Sequence, residues 1–325
     1  MAASQGYQQD FIGTGFSVPF PKLSAVQKKD IAGPTGVASG ELTYLHFSIF
    51  LSKKRRFPYF TATNIDGTLF KKAGRSDKWI LDPRVTDFQY GNSLYSAPHS
   101  DYDKGHMTKR EDPQWGDTVA IAQQAADATF HFANSVPQVP ELNRQEWKQL
   151  EDYILDKECV PSHLKICVFT GPVLKDDDPV FVSKVNNQDV LIPTLFWKVV
   201  YYTNDGKSLS KVGFLMGQEN LLRDKGIVNP IRTKKLVDTH LPGLKKHFTD
   251  FKDAETYQVN MATIENLTGL TFPPGDEPKK DNRPIQLIIK QVEMKEDHTK
   301  SILGSTGKAQ SLNGGNFRYE GILLR

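Results

Sequence analysis

Long apolar runs are missing from this chain of 325 residues. No stretch approaches the roughly 18 apolar residues that a membrane-spanning helix needs, which removes the membrane class. Cysteine is almost absent, with two residues, Cys159 and Cys167. No zinc-type Cys/His spacing exists, so any metal is expected on oxygen and nitrogen ligands. Cys167 lies in the apolar run Ile166-Cys167-Val168-Phe169, and both thiols read as buried or idle rather than paired. An excess of charge of one sign is lacking too. Lysine and arginine total 41 against 38 acidic residues, a net charge of +3 that permits a nucleic-acid partner without arguing for one. Residues 1–20 have no basic region ahead of an apolar core, so they do not read as a secretory leader. A cytoplasmic protein or a mature secreted form is expected.

What is present is the composition of a globular protein, long enough for one large domain or two ordinary ones. Residues 1–41 carry Gly, Pro and Ser punctuation and read as an arm packed on the core through Phe11, Phe16, Val18 and Phe20. Strand-forming segments at 42–50 and 57–63 suggest a hairpin around the basic turn Lys53-Lys54-Arg55-Arg56, which reads as a solvated loop. Residues 71–107 show no sustained period and read as a long loop, a class that is usually functional or disordered. Helices are expected from residue 117, over 143–155 and over 263–267. Strands are expected at 164–169, 195–202, 211–216, 285–294 and 317–324. The run Pro273-Pro274-Gly275-Asp276 marks the clearest boundary, dividing a domain over 42–274 from an extension over 275–325. That extension supplies either extra strands or a module that binds a partner protein.

The helix over 143–155 contains an anomaly. At about 100° per residue, Asn143, Trp147, Leu150, Glu151 and Ile154 share one face, so a carboxylate and an amide sit on the apolar stripe. A bare buried carboxylate costs several kcal/mol, so Glu151 is either a boundary residue reaching water or is paired, hydrogen-bonded or metal-linked. His106, preceded by Gly105, is a second polar candidate. Its ordinary pKa of about 6.5 suits a general base, although a Gly-His pair taken alone favours a structural histidine.

The segment Asp103-Lys104-Gly105-His106-Met107 resembles the Asp-Arg-Gly-His signature of the DNA/RNA non-specific endonucleases, the Serratia nuclease and endonuclease G type. Downstream, Asn134-Ser135-Val136-Pro137-Gln138, Leu142-Asn143, Trp147 and Leu150-Glu151 are similar to the same family's Asn-x-x-Pro-Gln, Leu-Asn, Trp, Leu-Glu pattern. Phe60 to Gly67, Thr170-Gly171-Pro172, Pro193-Thr194 with Phe196-Trp197-Lys198, and Ile264-Glu265 with Thr268-Gly269-Leu270 agree in order.

The resemblance implies an α+β fold, with a mixed, mainly antiparallel central sheet flanked by helices and a ββα-metal (His-Me) finger. It implies an endonuclease acting on DNA and RNA without strong sequence preference. His106 would be the general base, Asn143 the direct ligand of Mg²⁺ (with Mn²⁺ as a substitute), and Glu151 would act through a metal-linked water. Asn134 would orient the histidine or bind near the scissile phosphate. Arg75 is the first choice for the transition-state arginine, with Arg84 and Lys78 as competitors, and Lys104 joins them as a substrate contact. A homodimer is compatible with the family. Two departures stand out: Lys104 replaces the motif arginine and so lacks its planar fork, and Leu155 stands where many relatives have arginine. These motivate an alternative reading, a catalytically weakened nucleic-acid-binding module or the nuclease subunit of a defence or toxin system.

Overall fold

The computed structural model describes residues 6–229, 253–291, 317–320 and 322–324. Its centre is a nine-stranded sheet in which every neighbouring pair is antiparallel. Two short strands, β1 (Ile31–Ala32) and β2 (Leu42–Tyr44), lie end to end along the outer edge of β3 (Phe47–Ser52), which pairs with β4 (Pro58–Asp66). Two strands lie off the sheet, β5 (Asp103–His106) and β6 (Ser135–Gln138), and pair with each other. The sheet continues from β4 through β7 (Lys165–Pro172), β8 (Leu195–Tyr202), β9 (Ser210–Gly217) and β10 (Tyr257–Val259) to β11 (Ile285–Gln286). A separate pair is formed by β12 (Ile288–Gln291) and β13 (Phe317–Glu320).

Both faces of the sheet are covered, which explains why its central strands are apolar at nearly every position. On one face Ile166, Val168, Phe196, Val200, Phe214 and Met216 form a core with Leu150 and Ile154 of a long helix. On the other, Cys167, Phe169, Trp197, Val199, Tyr201 and Leu215 meet Tyr7, Ile12 and Val18 of the N-terminal segment and Ile264 of the helix Met261–Thr268. Each fully buried side chain of this size contributes roughly 1.5–3 kcal/mol. The protein is α+β. Cys159 and Cys167 are free, buried thiols, and burial pushes Cys167 up to about 12.

The hairpin around the basic turn forms as expected, but the turn is not wholly solvated. Arg55 is buried, with its guanidinium 2.7 Å from Asp178 and bonded to the carbonyls of Lys175 and Leu191. A partner more than a hundred residues away in sequence decides its burial. Arg55→Ala leaves Asp178 buried and unpaired, and urea denaturation is expected to show a loss of about 3–5 kcal/mol. A loss below about 1 kcal/mol would show that Asp178 finds water.

The stretch over 71–107 is not all loop: it contains the turn of helix Asn92–Tyr95 and ends in β5. That strand is short and rich in residues that disfavour strands, and its partner β6 lies some thirty residues away, so local pattern does not reveal it. The expected strand over 285–294 is divided between β11 and β12, interrupted at Leu287, whose N–H bonds the Thr256 carbonyl. Its last residues, 292–294, lie outside the described residues. The expected strand over 317–324 ends at Glu320, and the Leu324 carbonyl instead accepts from the Tyr202 hydroxyl at 2.8 Å.

Candidate active site

The β5–β6 pair places Gly105 opposite Val136 and His106 opposite Ser135. The Gln138 side chain lies across Gly105, where an added Cβ would come within 2.1 Å of its Oε1. Glycine at 105 is therefore a matter of close approach. The corner after His106 is fixed by Asn134, whose carbonyl accepts from Met107 N and whose Oδ1 accepts from Thr108 N. Asn134 Nδ2 donates to the Thr108 and Thr129 carbonyls, both at 2.9 Å.

The His106 ring packs between Trp79, at 4.6 Å between centroids, and Phe130, at 5.0 Å and nearly perpendicular. Its Nε2 is buried and has no hydrogen-bond partner among the described residues. Burial pulls its pKa from 6.5 down to about 4; Arg75 and Arg110 add to the fall, while Glu111 and Asp77 oppose it. The imidazole is thus neutral at pH 7, with a lone pair available to take a proton. NMR of ring-labelled histidine, assigned with the His106→Ala difference spectrum, should show this ring titrating below pH 5. A midpoint near 6.5 would mean that the ring is solvated.

Facing it is a helix of three consecutive segments: π-helical Leu142–Trp147, α-helical Lys148–Asp152 and π-helical Tyr153–Cys159. The sequence pattern suggested an ordinary helix over 143–155. In such a helix Lys148 would stand about 140° from Asn143. The wider winding brings Asn143, Lys148, Glu151, Asp152 and Asp156 onto one wall, a use of π turns that recurs at functional sites. Trp147 turns inward, against Phe196 and beneath Lys198.

The two walls bound a cleft of about 350 Å³ that holds His106, Asn143 and Glu151 together with Lys72, Arg75, Lys109 and Arg110. Glu151 Oε1 is buried and without a hydrogen bond among the described residues, with Lys198 Nζ 3.4 Å away. Burial pushes the Glu151 carboxyl upward against the pull of Lys198 and Lys109. Asp152 is neutralised twice, by Lys109 at 2.7 Å and by Lys148.

A strand pair carrying a buried histidine is thus set against a helix that presents an amide and a carboxylate. The family model of the DNA/RNA non-specific endonucleases matches residues 30–278. The chain belongs to that family. Among relatives of this endonuclease-family chain, the uncharacterized protein y4fB of Sinorhizobium fredii is 32% identical over 282 residues, covering 82% of this chain and 39% of that protein. Mitochondrial endonuclease G of Homo sapiens is 29% identical over 208 residues, covering 60% of this chain and 58% of that protein. The chain therefore spans about two fifths and just under three fifths of these two relatives. A crystal structure of an EndoG/EndoGI complex superposes with a TM-score of 0.50 at 20% identity, covering 71% of this chain and 84% of that one.

The fold separates the residues proposed for the site into two groups. His106, Arg75, Asn143 and Glu151 line the cleft. Arg84 is instead clamped on Asp82 through Nε and Nη2, donates to the Thr43 carbonyl and lies 4.7 Å over the Tyr44 ring. Lys104 sits 5.3 Å over the Tyr95 ring rather than in the cleft wall. Lys78 is exposed and outside that wall, and Asn134 is fully buried with its carboxamide committed to the backbone. Leu155 is fully buried in the core, so the position has no room for an exposed guanidinium. Besides Arg75, the cleft has further cations: Arg110 donates to Glu111 and to the carbonyls of Ala73 and Gly74, and Lys72, Lys109 and Lys148 join it. Lys109 and Arg110, just after the motif, are the cations that sequence offers as compensation for Lys104 and Leu155, whereas Lys72 and Lys148 leave no signal in the sequence. Lys198 did leave a signal, a lone cation inside the apolar strand Leu195–Tyr202.

Proposed function

We propose that this chain is an endonuclease that hydrolyses phosphodiester bonds of DNA and RNA with little sequence preference. The observation that carries the reading is His106, neutral and with an unpaired buried Nε2, in the same cleft as Asn143 and Glu151. The ring accepts the proton of the attacking water, and packing against Trp79 and Phe130 holds it in one orientation for that transfer. Arg75, on the cleft wall, meets the charge that develops on the phosphate. The immobilised Arg110 supplies a second positive field beside it. Lys72 and Lys148 bind flanking phosphates, which position a strand without reading its bases and so support activity on both nucleic acids.

Members of the family are generally dependent on a divalent metal. Among the described residues no group of three His, Cys, Asp or Glu could hold an ion. The donors present fit a largely hydrated hard cation instead. Asn143 Nδ2 bonds Asp103, which leaves Oδ1 to serve as the direct ligand, and Glu151, whose Oε1 has no hydrogen bond among the described residues and lies 3.4 Å from Lys198 Nζ, would act on the ion through water. Mg²⁺ would be held there, or Mn²⁺ in its place, supplying charge neutralisation at the phosphate and the leaving oxygen. Lys104 and Leu155 do not weaken this reading, because neither lies in the cleft wall. Nicking of supercoiled plasmid and degradation of single-stranded RNA in Mg²⁺, both abolished by a chelator, test it.

A further inference from the structure

The carboxamide of Asn143 has two ends of nearly equal size, and only one of them can bind a cation. Nothing in the helix itself selects which end enters the cleft. The selection comes from β5, where Asp103 Oδ2 lies 3.0 Å from Asn143 Nδ2. A carboxylate accepts and does not donate, so it bonds the NH₂ end and turns Oδ1 away from itself.

Asp103 is itself fixed. Arg144, the next residue on the helix, donates from Nε to Oδ2 at 2.8 Å and from Nη2 to Oδ1 at 2.6 Å. This two-pronged contact leaves Asp103 one orientation in its plane. The Arg144 side chain is 69% exposed and that of Asp103 only 17%, so the guanidinium caps the carboxylate from the solvent side. The other nearby acids, Asp101 and Glu141, are held by Lys225 at 2.7 and 2.9 Å. Arg144 is left with Asp103 as its partner.

We infer that Asp103, held by Arg144, is the positioning residue that sets the orientation of the Asn143 carboxamide and so presents an oxygen, rather than an NH₂ group, to a divalent cation. The inference rests on the reading of Asn143 as the metal ligand. It assigns the motif aspartate a role in metal affinity rather than in proton transfer, and it brings Arg144, which no motif singled out, into the site.

The test is a double-mutant cycle read by Mn²⁺ binding, with free Mn²⁺ followed by electron paramagnetic resonance and folding checked by thermal denaturation. Asp103→Asn offers an NH₂ group of its own and removes the selection, so Mn²⁺ affinity is expected to fall by about tenfold, as for loss of an outer-shell partner. Arg144→Gln removes only the cap and should cost about twofold, fading at high salt. In an Asn143→Asp background both ends of the ligand are oxygens and orientation is irrelevant. There Asp103→Asn should leave affinity unchanged, or improve it by relieving repulsion between two acids. An equal loss in both backgrounds, or no loss with Asn143 intact, overturns the inference while leaving Asn143 as a ligand. If Asn143→Ala binds Mn²⁺ as well as the unaltered protein, the ligand reading fails and the inference with it.

Discussion

Replacing Asn143 by alanine is expected to raise the Mg²⁺ concentration for half-maximal cleavage by at least about tenfold, since a direct ligand contributes no less than its outer-shell support. The substitution is structurally mild. Asn143 is only partly buried, on the rim of a helix whose apolar anchors are Leu142, Trp147 and Leu150. Among the described residues its side chain bonds Asp103, and the truncation leaves Asp103 with both Arg144 contacts, so no buried carboxylate is orphaned. A lowered metal affinity would therefore report the lost oxygen rather than a collapsed helix. If Asn143→Ala remains folded and its metal dependence is unchanged, the cation is held elsewhere. Glu151 would then be the next candidate, because its Oε1 has no hydrogen bond among the described residues and lies on the same wall.

The strands of the central sheet were legible because their apolar runs are local. The segment expected over 195–202 coincides with β8, that over 211–216 falls inside β9, and that over 164–169 starts one residue before β7 and stops three short of its end. The helix over 143–155 was legible as a helix but not in its winding, because π turns are set by what the helix packs against and by which residues must share the cleft wall. The His106 strand was not legible, since four residues containing Asp, Lys and Gly form a strand only against β6. At the site, the motif spacing named His106, Asn143 and Glu151, whereas the cations depended on tertiary partners. Arg84 and Arg75 look alike in sequence and each pairs with a nearby aspartate, but Arg84 is held on the buried Asp82 and over the Tyr44 ring, whereas Arg75 makes an exposed pair with Asp77 on the cleft wall. In the same way, Lys104 is explained by the position of Tyr95.

His106→Ala is expected to slow cleavage by about 10²–10⁴-fold, the range a positioned general base supplies. The reasoning turns on burial. Nε2 is shielded and unpaired, and the low pKa keeps the ring unprotonated through the neutral range. A purely structural histidine in this setting would be expected to donate to a carbonyl or carboxylate, yet the ring contacts found are with the aromatic rings of Trp79 and Phe130. Those contacts orient the imidazole without consuming its lone pair. Loss of the ring costs some packing, so thermal denaturation must accompany the kinetics to separate an inactive folded protein from an unfolded one.

The central claim is tested most directly by incubating unaltered protein and His106→Ala with supercoiled plasmid and single-stranded RNA in Mg²⁺, with and without chelator. The account predicts that the unaltered protein nicks the plasmid and degrades the RNA only without chelator, and that folded His106→Ala does so at least about a hundredfold more slowly. Cleavage by His106→Ala at the rate of the unaltered protein would contradict it.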